Sequence, residues 1–208
     1  MMWVNIVLGV LTGYLLGNLN GAVSVSSLMK DDVRSHGSGN AGLTNFIRNY
    51  GRGKALYVII VDAIKAVLSC LVNGYLLQPY GMYEAGLAIG GAAVMTGHVF
   101  PALLGFRGGK GILSGLFIAL VIDWRIALII AVVFFTLYFI TRYVSLSSVL
   151  AATAFGVCFC VFHHHNLTVM ICGIGMAALT IFMHRSNIAR LLAGKETKTD
   201  LFKKGKSV

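Results

Sequence analysis

The sequence predicts an all-α membrane protein, a polytopic helical bundle of about seven transmembrane helices. Of its 208 residues, 57% are hydrophobic and only 12% are charged, whereas a soluble domain carries about 25% charged residues. Apolar runs long enough to cross a bilayer recur from end to end, and the basic residues gather between them. We therefore expect residues 1–208 to form a single membrane domain with a basic tail at 185–208.

Hydropathy places the predicted helices in order along the chain. The spans are expected at 3–27, 53–77, 84–104, 111–122, 125–141, 144–163 and 166–184. The first lacks a basic flank and a cleavage signal, so we interpret it as a retained helix rather than a signal peptide. The fourth is short and begins in a glycine cluster, and spans of that kind often line a ligand site.

The basic residues orient the predicted bundle. With the N-terminus outside, all 17 lysines and arginines except Lys65 and Arg125 fall in inside loops or in the C-terminal tail. The positive-inside rule then puts the C-terminus in the cytoplasm. An even number of spans would place the basic tail and the first basic loop on opposite sides. The net charge of +10 is thus explained by orientation and anionic ligands rather than by nucleic acid.

The first inside loop, residues 30–52, is too polar to span and too glycine-rich for one plain helix. We expect a re-entrant or interfacial element that includes a short half-helix from Thr44 to Tyr50. Irregular backbone near a membrane is tolerated where protein or a water-filled cavity covers it.

This loop carries the first candidate anion site. Its glycines, Gly37, Gly39 and Gly42, allow close backbone approach with amides turned toward an anion. Arg48 offers a planar fork suited to phosphate. Neutral hydrogen-bonding groups come from Ser38, Asn40, Thr44 and Asn45. A polar surface loop with turn glycines is the alternative interpretation.

A second motif joins Gly97-His98-Val99-Phe100-Pro101 to Phe106-Arg107-Gly108-Gly109-Lys110-Gly111. The glycines and lysine open a predicted helix, so backbone amides and a point charge could hold phosphate oxygens. The spacing is not that of a Walker A loop. A lone histidine such as His98 is more often a structural hydrogen-bonding group than a ligand.

A third motif, His184-Arg185-Ser186-Asn187-Ile188-Ala189-Arg190-Leu191, ends the last span. In a continuing helix, His184, Asn187 and Leu191 would share one face. Within the second span, Asp62 and Lys65 are expected to form a structural ion pair, because charges there are costly and tend to pair. The polar motifs all fall on the inside, which predicts one site for an anionic substrate.

Metal and cofactor sites are not expected. The four cysteines form no C-x-x-C pair. His163-His164-His165 falls at the outside turn between the last two spans, and we interpret it as loop. Asp and Glu are too few and too scattered for a hard-cation site.

Taken together, these motifs resemble the bacterial acyl-phosphate-dependent glycerol-3-phosphate acyltransferases, small seven-span membrane enzymes. The resemblance covers nearly the whole chain. It is carried by Gly-Ser-Gly-Asn-x-Gly-x-Thr-Asn-x-x-Arg at 37–48, Asp-x-x-Lys at 62–65, Gly-His-x-Phe-Pro at 97–101, Phe-x-Gly-Gly-Lys-Gly at 106–111 and His-Arg-x-Asn-Ile-x-Arg-Leu-Leu-x-Gly-x-Glu at 184–196. The chain departs from the family at Asn18-Leu19-Asn20, usually Ser-x-Pro, and at Ile112-Leu113-Ser114, usually Val-Ala-Thr. These departures leave open a paralogue with another donor or acceptor.

The resemblance implies transfer of an acyl group from acyl phosphate to the 1-hydroxyl of glycerol 3-phosphate, giving lysophosphatidic acid and phosphate. It implies that Ser38 and Arg48 are essential, that Gly108 to Gly111 bind glycerol 3-phosphate, that His184 and Asn187 support activity, and that Glu196 is structural. Ser114 keeps a hydroxyl for substrate. The implied setting is a bacterial inner membrane with a cytoplasmic active site, and the soluble enzyme that makes acyl phosphate is a candidate partner.

For the mechanism, no His-x-x-x-x-Asp motif is present. Because acyl phosphate is an activated donor, positioning and charge stabilisation by Arg48, Lys110 and loop amides can supply most of the rate. Ser38 and Asn45 would orient the donor. The acceptor's own phosphate takes the hydroxyl proton in one scheme and His184 takes it in the rival. A covalent acyl-Ser38 intermediate is a third possibility, disfavoured because no base stands beside it in sequence.

Two other function classes fit some of these sequence features. A small anion or phosphate-ester transporter would suit glycine-broken helices and buried charges, but predicts polar motifs on both sides and inverted repeats. A catalytically silent scaffold is disfavoured by the retained Ser, Arg, Lys, His and Asn of the motifs.

Overall fold

The computed structural model describes residues 1–200 of the chain, and this range contains helices and loops but no strand. Its α-helices are α1 (Met2–Asn18), α2 (Gly21–Leu28), α3 (Leu43–Tyr50), α4 (Arg52–Leu77), α5 (Tyr83–Val99), α6 (Ile112–Ile122), α7 (Trp124–Thr141), α8 (Val144–Phe162), α9 (Leu167–Met183) and α10 (Arg185–Leu192). Short 3-10 helices occupy Val33–Ser35, Gln78–Tyr80 and Ala102–Leu104. The tail lysines Lys203, Lys204 and Lys206 lie outside the described residues.

The predicted membrane bundle is confirmed as an all-helical architecture. Four helical segments are long and apolar enough to cross a membrane, and the pairs α1–α2 and α9–α10 each qualify as a bent span. The remaining apolar helix is the short α6. These elements correspond to the seven apolar runs of the sequence. Their outward faces carry exposed large side chains such as Leu11, Leu15, Leu128 and Val132, as expected for contact with lipid.

The first apolar run was predicted as one helix, and this is wrong: it bends by 44° between α1 and α2. The break has a chemical cause. The side-chain Oδ1 of Asn20 accepts from the Val23 amide and caps α2, so a new helix begins there. Lys65 Nζ donates to the Leu19 carbonyl at 2.8 Å and satisfies a group that the broken helix leaves free.

Helices α1, α4 and α5 pack closely through small residues. The buried face of α1 contains Gly9, Gly13 and Gly17, and a Cβ on any of them would overlap atoms of α4 or α5. Asn73 Nδ2 donates to the Gly9 carbonyl at 3.1 Å across this contact. Small residues with occasional hydrogen bonds are the usual means of helix association in membranes.

Helices α6 to α9 enclose the other half of the bundle. Helix α6 has 11 residues and is therefore about 16 Å long, roughly half the hydrocarbon thickness of a bilayer. The glycine-rich loop that leads into α6 must consequently lie below the membrane surface if the far end of α6 reaches the opposite side.

The polar first loop has a small hydrophobic core of its own. Val33, Ala41 and Phe46 are almost completely buried against residues of α2 and α4. The predicted half-helix at Thr44–Tyr50 is confirmed as α3, one residue longer at its start. Covering by protein explains how this irregular backbone is tolerated beside the membrane.

Candidate active site

One cavity of about 840 Å³ runs from the first loop into the space between α6, α7, α8 and α9. All three polar motifs of the sequence reach it, which confirms that they converge. Its polar end is lined by Gly37, Ser38, Gly39, Asn40, Thr44, Asn45, Arg48, Lys110, Gly111, His184, Asn187, Arg190, Glu196, Thr197 and Thr199. Its apolar end is lined by Ile112, Leu116, Ile130, Ala131, Phe134, Phe135, Ala151, Ala152, Phe155, Met176 and Ala177.

Asn45 shapes the first loop through its side chain. Its Oδ1 accepts from the Ser38 amide at 3.0 Å, and its Nδ2 donates to the carbonyls of Val33, His36 and Asn40 at 2.9 to 3.1 Å. These bonds use both ends of the amide, so the geometry gives Asn45 the role of holding the loop. A direct contact with substrate, as the sequence suggested, would require it to release loop atoms.

Gly37 and Ser38 owe their positions to this arrangement. Gly37 has a φ of +58°, and a Cβ there would overlap Asn45 Oδ1. Glycine is therefore required for both its backbone angle and its size. Ser38 follows with an exposed side chain at the cavity wall, where its hydroxyl can reach a bound molecule.

Helix α3 directs its N-terminus and Arg48 toward the cavity. Its N-cap residue is Gly42, which provides no side-chain cap, so the first amides of α3 have no side-chain partner at that position. The guanidinium of Arg48, one helical turn beyond Thr44, donates to the hydroxyl of Thr199. The chain segment after α10 thus returns across the polar end of the cavity.

The two halves of the second motif interlock. The Gly109 amide donates to the His98 carbonyl at 3.1 Å, and a Cβ on Gly108 or Gly109 would overlap atoms of His98. These two glycines therefore pack against the end of α5, and only Lys110 and Gly111 of this stretch line the cavity. The Gly109 amide therefore already has a protein acceptor, and phosphate binding by Gly108 and Gly109 stays a prediction.

Lys110 joins the second motif to the third. Its Nζ donates to Asn187 Oδ1, and Asn187 Nδ2 donates to Glu196 Oε1 at 2.9 Å. Arg190 Nε then donates to Glu196 Oε2 at 2.6 Å. Burial, together with the nearby Arg190 charge, lowers the pKa of Lys110 to about 8. A bound phosphate would counter this effect and favour the charged lysine.

Glu196 is held in a hydrogen-bond network at the polar end of the cavity. Burial raises its pKa, but hydrogen bonds from Asn187 and Arg190 outweigh burial and hold the pKa below its ordinary value. The carboxylate is therefore ionised at neutral pH, and it fixes the orientation of the Asn187 amide whose oxygen faces Lys110.

His184 stands where the last span bends by 55° between α9 and α10, so α9 does not continue straight through the third motif. Both His184 and Asn187 nevertheless remain buried and line the cavity. Because a carbonyl accepts, His184 Nδ1 carries the proton in its 2.8 Å hydrogen bond to Thr180. In a neutral ring, Nε2 is then the acceptor.

Asp62 and Lys65 form the predicted ion pair, with 2.7 Å between Oδ1 and Nζ. Lys65 Nζ also donates to His98 Nδ1 at 2.8 Å. The Gly21 amide donates to Asp62 Oδ1 at 3.2 Å, so the pair holds the start of α2 as well. His98 thus has the structural bonding expected of a lone buried histidine, although its ring and Asp62 also reach the cavity wall.

Ser114 does not line the cavity. It is completely buried in α6, and its Oγ has no hydrogen-bond partner among the described residues. Its neighbours Leu113 and Gly115 face the cavity instead. The hydroxyl expected to touch substrate therefore points away from it, because the helix turns by about 100° per residue.

Helix ends and side chains give the polar end a positive character. Helices α3, α6 and α10 all begin at its wall, and none has a side-chain cap on its first amides. Arg48, Lys110 and Arg190 lie there beside the carboxylate of Glu196, and Arg185 also lines the wall. Partial charges of helix N-termini and fixed cations together favour anions.

Several cavity residues were missed by sequence reasoning. Arg190 stands in the third motif without a predicted role, and Thr197 and Thr199 fall in the predicted basic tail, yet all three line the cavity. Ser145 and Ser148 also line the wall, at the start of α8. The serine-rich start of an otherwise apolar helix was the available signal for the last two.

A family model described as glycerol-3-phosphate acyltransferase matches residues 7–194 of this chain. The glycerol-3-phosphate acyltransferase of Thermoanaerobacter pseudethanolicus is 38% identical over 193 residues, covering 92% of this chain and 94% of the relative. The enzyme of the same name from Neisseria meningitidis serogroup B is 34% identical over 190 residues, covering 91% and 94%.

Solved structures of PlsY, an integral membrane glycerol 3-phosphate acyltransferase, share the fold. The glycerol 3-phosphate form superposes with a TM-score of 0.85 at 31% identity, covering 95% of this chain and 99% of that one. The lysophosphatidic acid form gives a TM-score of 0.81 at 30% identity, covering 94% and 96%.

Proposed function

This chain belongs to the glycerol-3-phosphate acyltransferase family, and on that premise we propose that it acylates the 1-hydroxyl of glycerol 3-phosphate with acyl phosphate as donor. The products are 1-acyl-glycerol 3-phosphate, which is lysophosphatidic acid, and inorganic phosphate. The observation that carries the proposal is the single cavity that joins a cationic end to an apolar tunnel. Both substrates have a phosphate, and one of them also has a long apolar chain.

The size and lining of the cavity suit this pair of substrates. A volume of about 840 Å³ lies within the ~300–1,000 Å³ typical of small-molecule sites. The acyl chain would lie between α7, α8 and α9, among Ile130, Phe134 and Phe155. The phosphates would then meet Arg48 and Lys110 at the polar end, where each cation has a hydrogen-bonding neighbour to orient it.

In the proposed reaction, the hydroxyl oxygen of glycerol 3-phosphate attacks the carbonyl carbon of acyl phosphate. The new C–O ester bond forms as the C–O bond to phosphate breaks, and phosphate leaves with the electron pair. Arg48 and Lys110 stabilise the charge that develops on the phosphates. Since the donor is already activated, holding both substrates in one cavity supplies much of the remaining rate.

The hydroxyl proton has two candidate acceptors. In the favoured scheme it passes to the phosphate of the acceptor substrate itself. The rival acceptor is Nε2 of His184, which the bond from Nδ1 to Thr180 leaves unprotonated in the neutral ring. If His184→Gln keeps a near-normal kcat with an unchanged pH profile, His184 is excluded as the base.

A covalent acyl-Ser38 intermediate is not favoured by the loop geometry. His36, two residues before Ser38 in sequence, pairs with Asp31 instead, with 2.9 Å between Nε2 and Oδ1. We propose instead that Ser38 orients the donor, while Asn45 keeps the loop in shape.

We propose a bacterial inner-membrane location with the cationic end of the cavity facing the cytoplasm. The basic residues of the inside loops and of the segment after α9 support that orientation through the positive-inside rule. The soluble enzyme that produces acyl phosphate would meet the protein on this face.

The test is acyl transfer by purified protein in lipid nanodiscs, with labelled glycerol 3-phosphate and palmitoyl phosphate. Palmitoyl-CoA is supplied in parallel as the alternative donor. Labelled lysophosphatidic acid from acyl phosphate alone, lost in Arg48→Ala but kept in Arg52→Ala, is the expected result. Arg52 is a suitable control because it is exposed and does not line the cavity. Product from palmitoyl-CoA alone would refute the donor, and no product with any donor would favour transport or another acceptor.

A further inference from the structure

Glu84, His163 and His165 lie together at the end of the bundle remote from the cationic site. Helix α8 starts at the cavity with Val144 and runs 19 residues, about 28 Å, before His163 follows it. Glu84 stands in the first turn of α5, whose other end carries His98 at the cavity wall. This group is therefore separate from the acyl-transfer site.

The three side chains converge on one point. One ligand atom from each, two imidazole nitrogens and a carboxylate oxygen, lies within 4.8 Å of the others. Ligands around a tetrahedral ion with ~2.0–2.1 Å bonds are separated by about 3.4 Å. Small rotations of the exposed Glu84 and His165 side chains would close the remaining gap.

His163 is the second and independent observation. It is only 7% exposed, yet neither of its ring nitrogens makes a hydrogen bond within the described residues, and Nε2 has only a 3.4 Å ion-pair contact with Asp123. A buried polar group without a partner is costly and calls for an explanation. A bound ion would supply the missing partner. The ring is held in place by stacking on Phe159, with 5.5 Å between centroids.

Asp123 has the position of a supporting carboxylate. Its Oδ2 lies 3.4 Å from His163 Nε2, and its own orientation is fixed by Arg125 at 2.6 Å. Metal-ligand histidines are commonly accompanied by a carboxylate that orients the ring.

We propose that Glu84, His163 and His165 bind Zn²⁺, with water as a fourth ligand. Two imidazoles favour a transition metal over Ca²⁺ or Mg²⁺, and two nitrogens with one carboxylate suit zinc in tetrahedral geometry. The ion ties the start of α5 to the turn between α8 and α9. The sequence predicted only a loop at His163-His164-His165. Glu84 lies far from these histidines in the chain, and folding brings its carboxylate next to them.

Metal binding by tag-free full-length protein, freed of metal by chelation and held in nanodiscs, tests the proposal. Zn²⁺ binding is measured by titration calorimetry, and Co²⁺ provides a visible spectrum that reports tetrahedral ligation. One ion per protein is expected, with Co²⁺ displaced by Zn²⁺ and with a melting temperature that rises as Zn²⁺ is added.

Matched variants separate a site from scattered surface binding. Glu84→Gln and His165→Ala, both at exposed positions, should each weaken Zn²⁺ binding by about 10–100-fold while acyl transfer is unchanged. The control is His164→Ala, because His164 bonds to the Val161 carbonyl and is outside the cluster. The proposal is overturned if the unmodified chain binds no Zn²⁺, or if His164→Ala weakens binding as much as His165→Ala.

Discussion

Two charged clusters lie within one bundle and differ in their balance of charge. The first, defined by Asp62, Lys65 and His98, is 2 to 4% exposed and pairs one lysine with one carboxylate. The second, the cationic end, places Arg48, Lys110 and Arg190 around the carboxylate of Glu196. The first cluster is neutral as a whole, whereas the second has positive charge in excess.

This difference in counter-charge separates charges that stabilise the fold from charges that can bind a ligand. Lys65 donates to Asp62, His98 and the Leu19 carbonyl, so a compact ammonium has its three donors used within the protein. Lys110 donates only to the neutral Asn187 oxygen in the described hydrogen-bond network, and its pKa is lowered by burial. A cation short of counter-charge is ready to accept an anion.

The largest effect is expected from breaking the neutral cluster. Asp62→Asn leaves the Lys65 charge buried without its partner, which should destabilise the protein by about 3–5 kcal/mol. Thermal unfolding in detergent measures this loss. The double variant Asp62→Leu with Lys65→Met should recover part of the stability, because no unpaired charge is then buried, although the bonds to the Gly21 amide and the Leu19 carbonyl are lost. Equal losses of stability in the single and double variants would contradict the conclusion that Asp62 neutralises the buried charge of Lys65.

The next effect concerns the cationic cluster. Lys110→Ala should lower kcat/KM by about 10²–10³-fold, the usual range for losing one group that stabilises developing charge. Its melting temperature should stay close to that of the unmodified chain. Lys54→Ala, at an exposed lysine of α4 away from the cavity, is the control. A large loss of stability with little loss of rate would reverse the roles of the two clusters.

The pH dependence of substrate binding tests whether the charge of Lys110 binds the ligand. The pKa of Lys110 is lowered to about 8, so its charge is present below that pH and is lost above it. The KM for glycerol 3-phosphate should therefore rise about tenfold between pH 7 and pH 9, as the charged fraction falls. Lys110→Arg keeps its charge throughout and should give a nearly flat profile. An equally steep rise in that variant would assign the effect to another group.

The smallest effect is expected at Glu196. In Glu196→Gln the side-chain oxygen can still accept from Asn187, but the ion pair with Arg190 is lost. The Arg190 side chain is 46% exposed and that of Glu196 is 7% exposed, so solvent screens one end of the pair and its loss should have a small effect. Steady-state kinetics should show a change in kcat of less than about fivefold. A loss as large as that of Lys110→Ala would make the carboxylate part of the chemistry rather than a support.

Local patterns predicted much of the fold and the assembly of the site. Apolar runs marked the helices, because membrane-spanning segments are set by length and hydropathy. The half-helix before Tyr50 and the pairing of Asp62 with Lys65 also followed from short spacings. Convergence of the three motifs was expected because the positive-inside rule predicts them on one side of the membrane.

Contacts between distant segments could not be predicted in the same way. The break after Asn18 depends on Lys65, which belongs to another helix. The hydrogen bond between Arg48 and Thr199 depends on tertiary packing. The burial of Ser114 outside the cavity lining has the same cause. Hydropathy and spacing report on neighbours in the chain, and these features are set by neighbours in space.

The short helix α6 has a consequence for the competition between acyl transfer and hydrolysis. If the far end of α6 reaches the opposite side of the bilayer, Lys110 at its start lies below the plane of the lipid headgroups, because α6 crosses only about half of the hydrocarbon layer. Water is scarce at that depth, and excluding it suppresses the wasteful hydrolysis of a reactive acyl donor. The glycerol hydroxyl therefore competes with few water molecules. The short α6 in this way favours acyl transfer over hydrolysis of the donor.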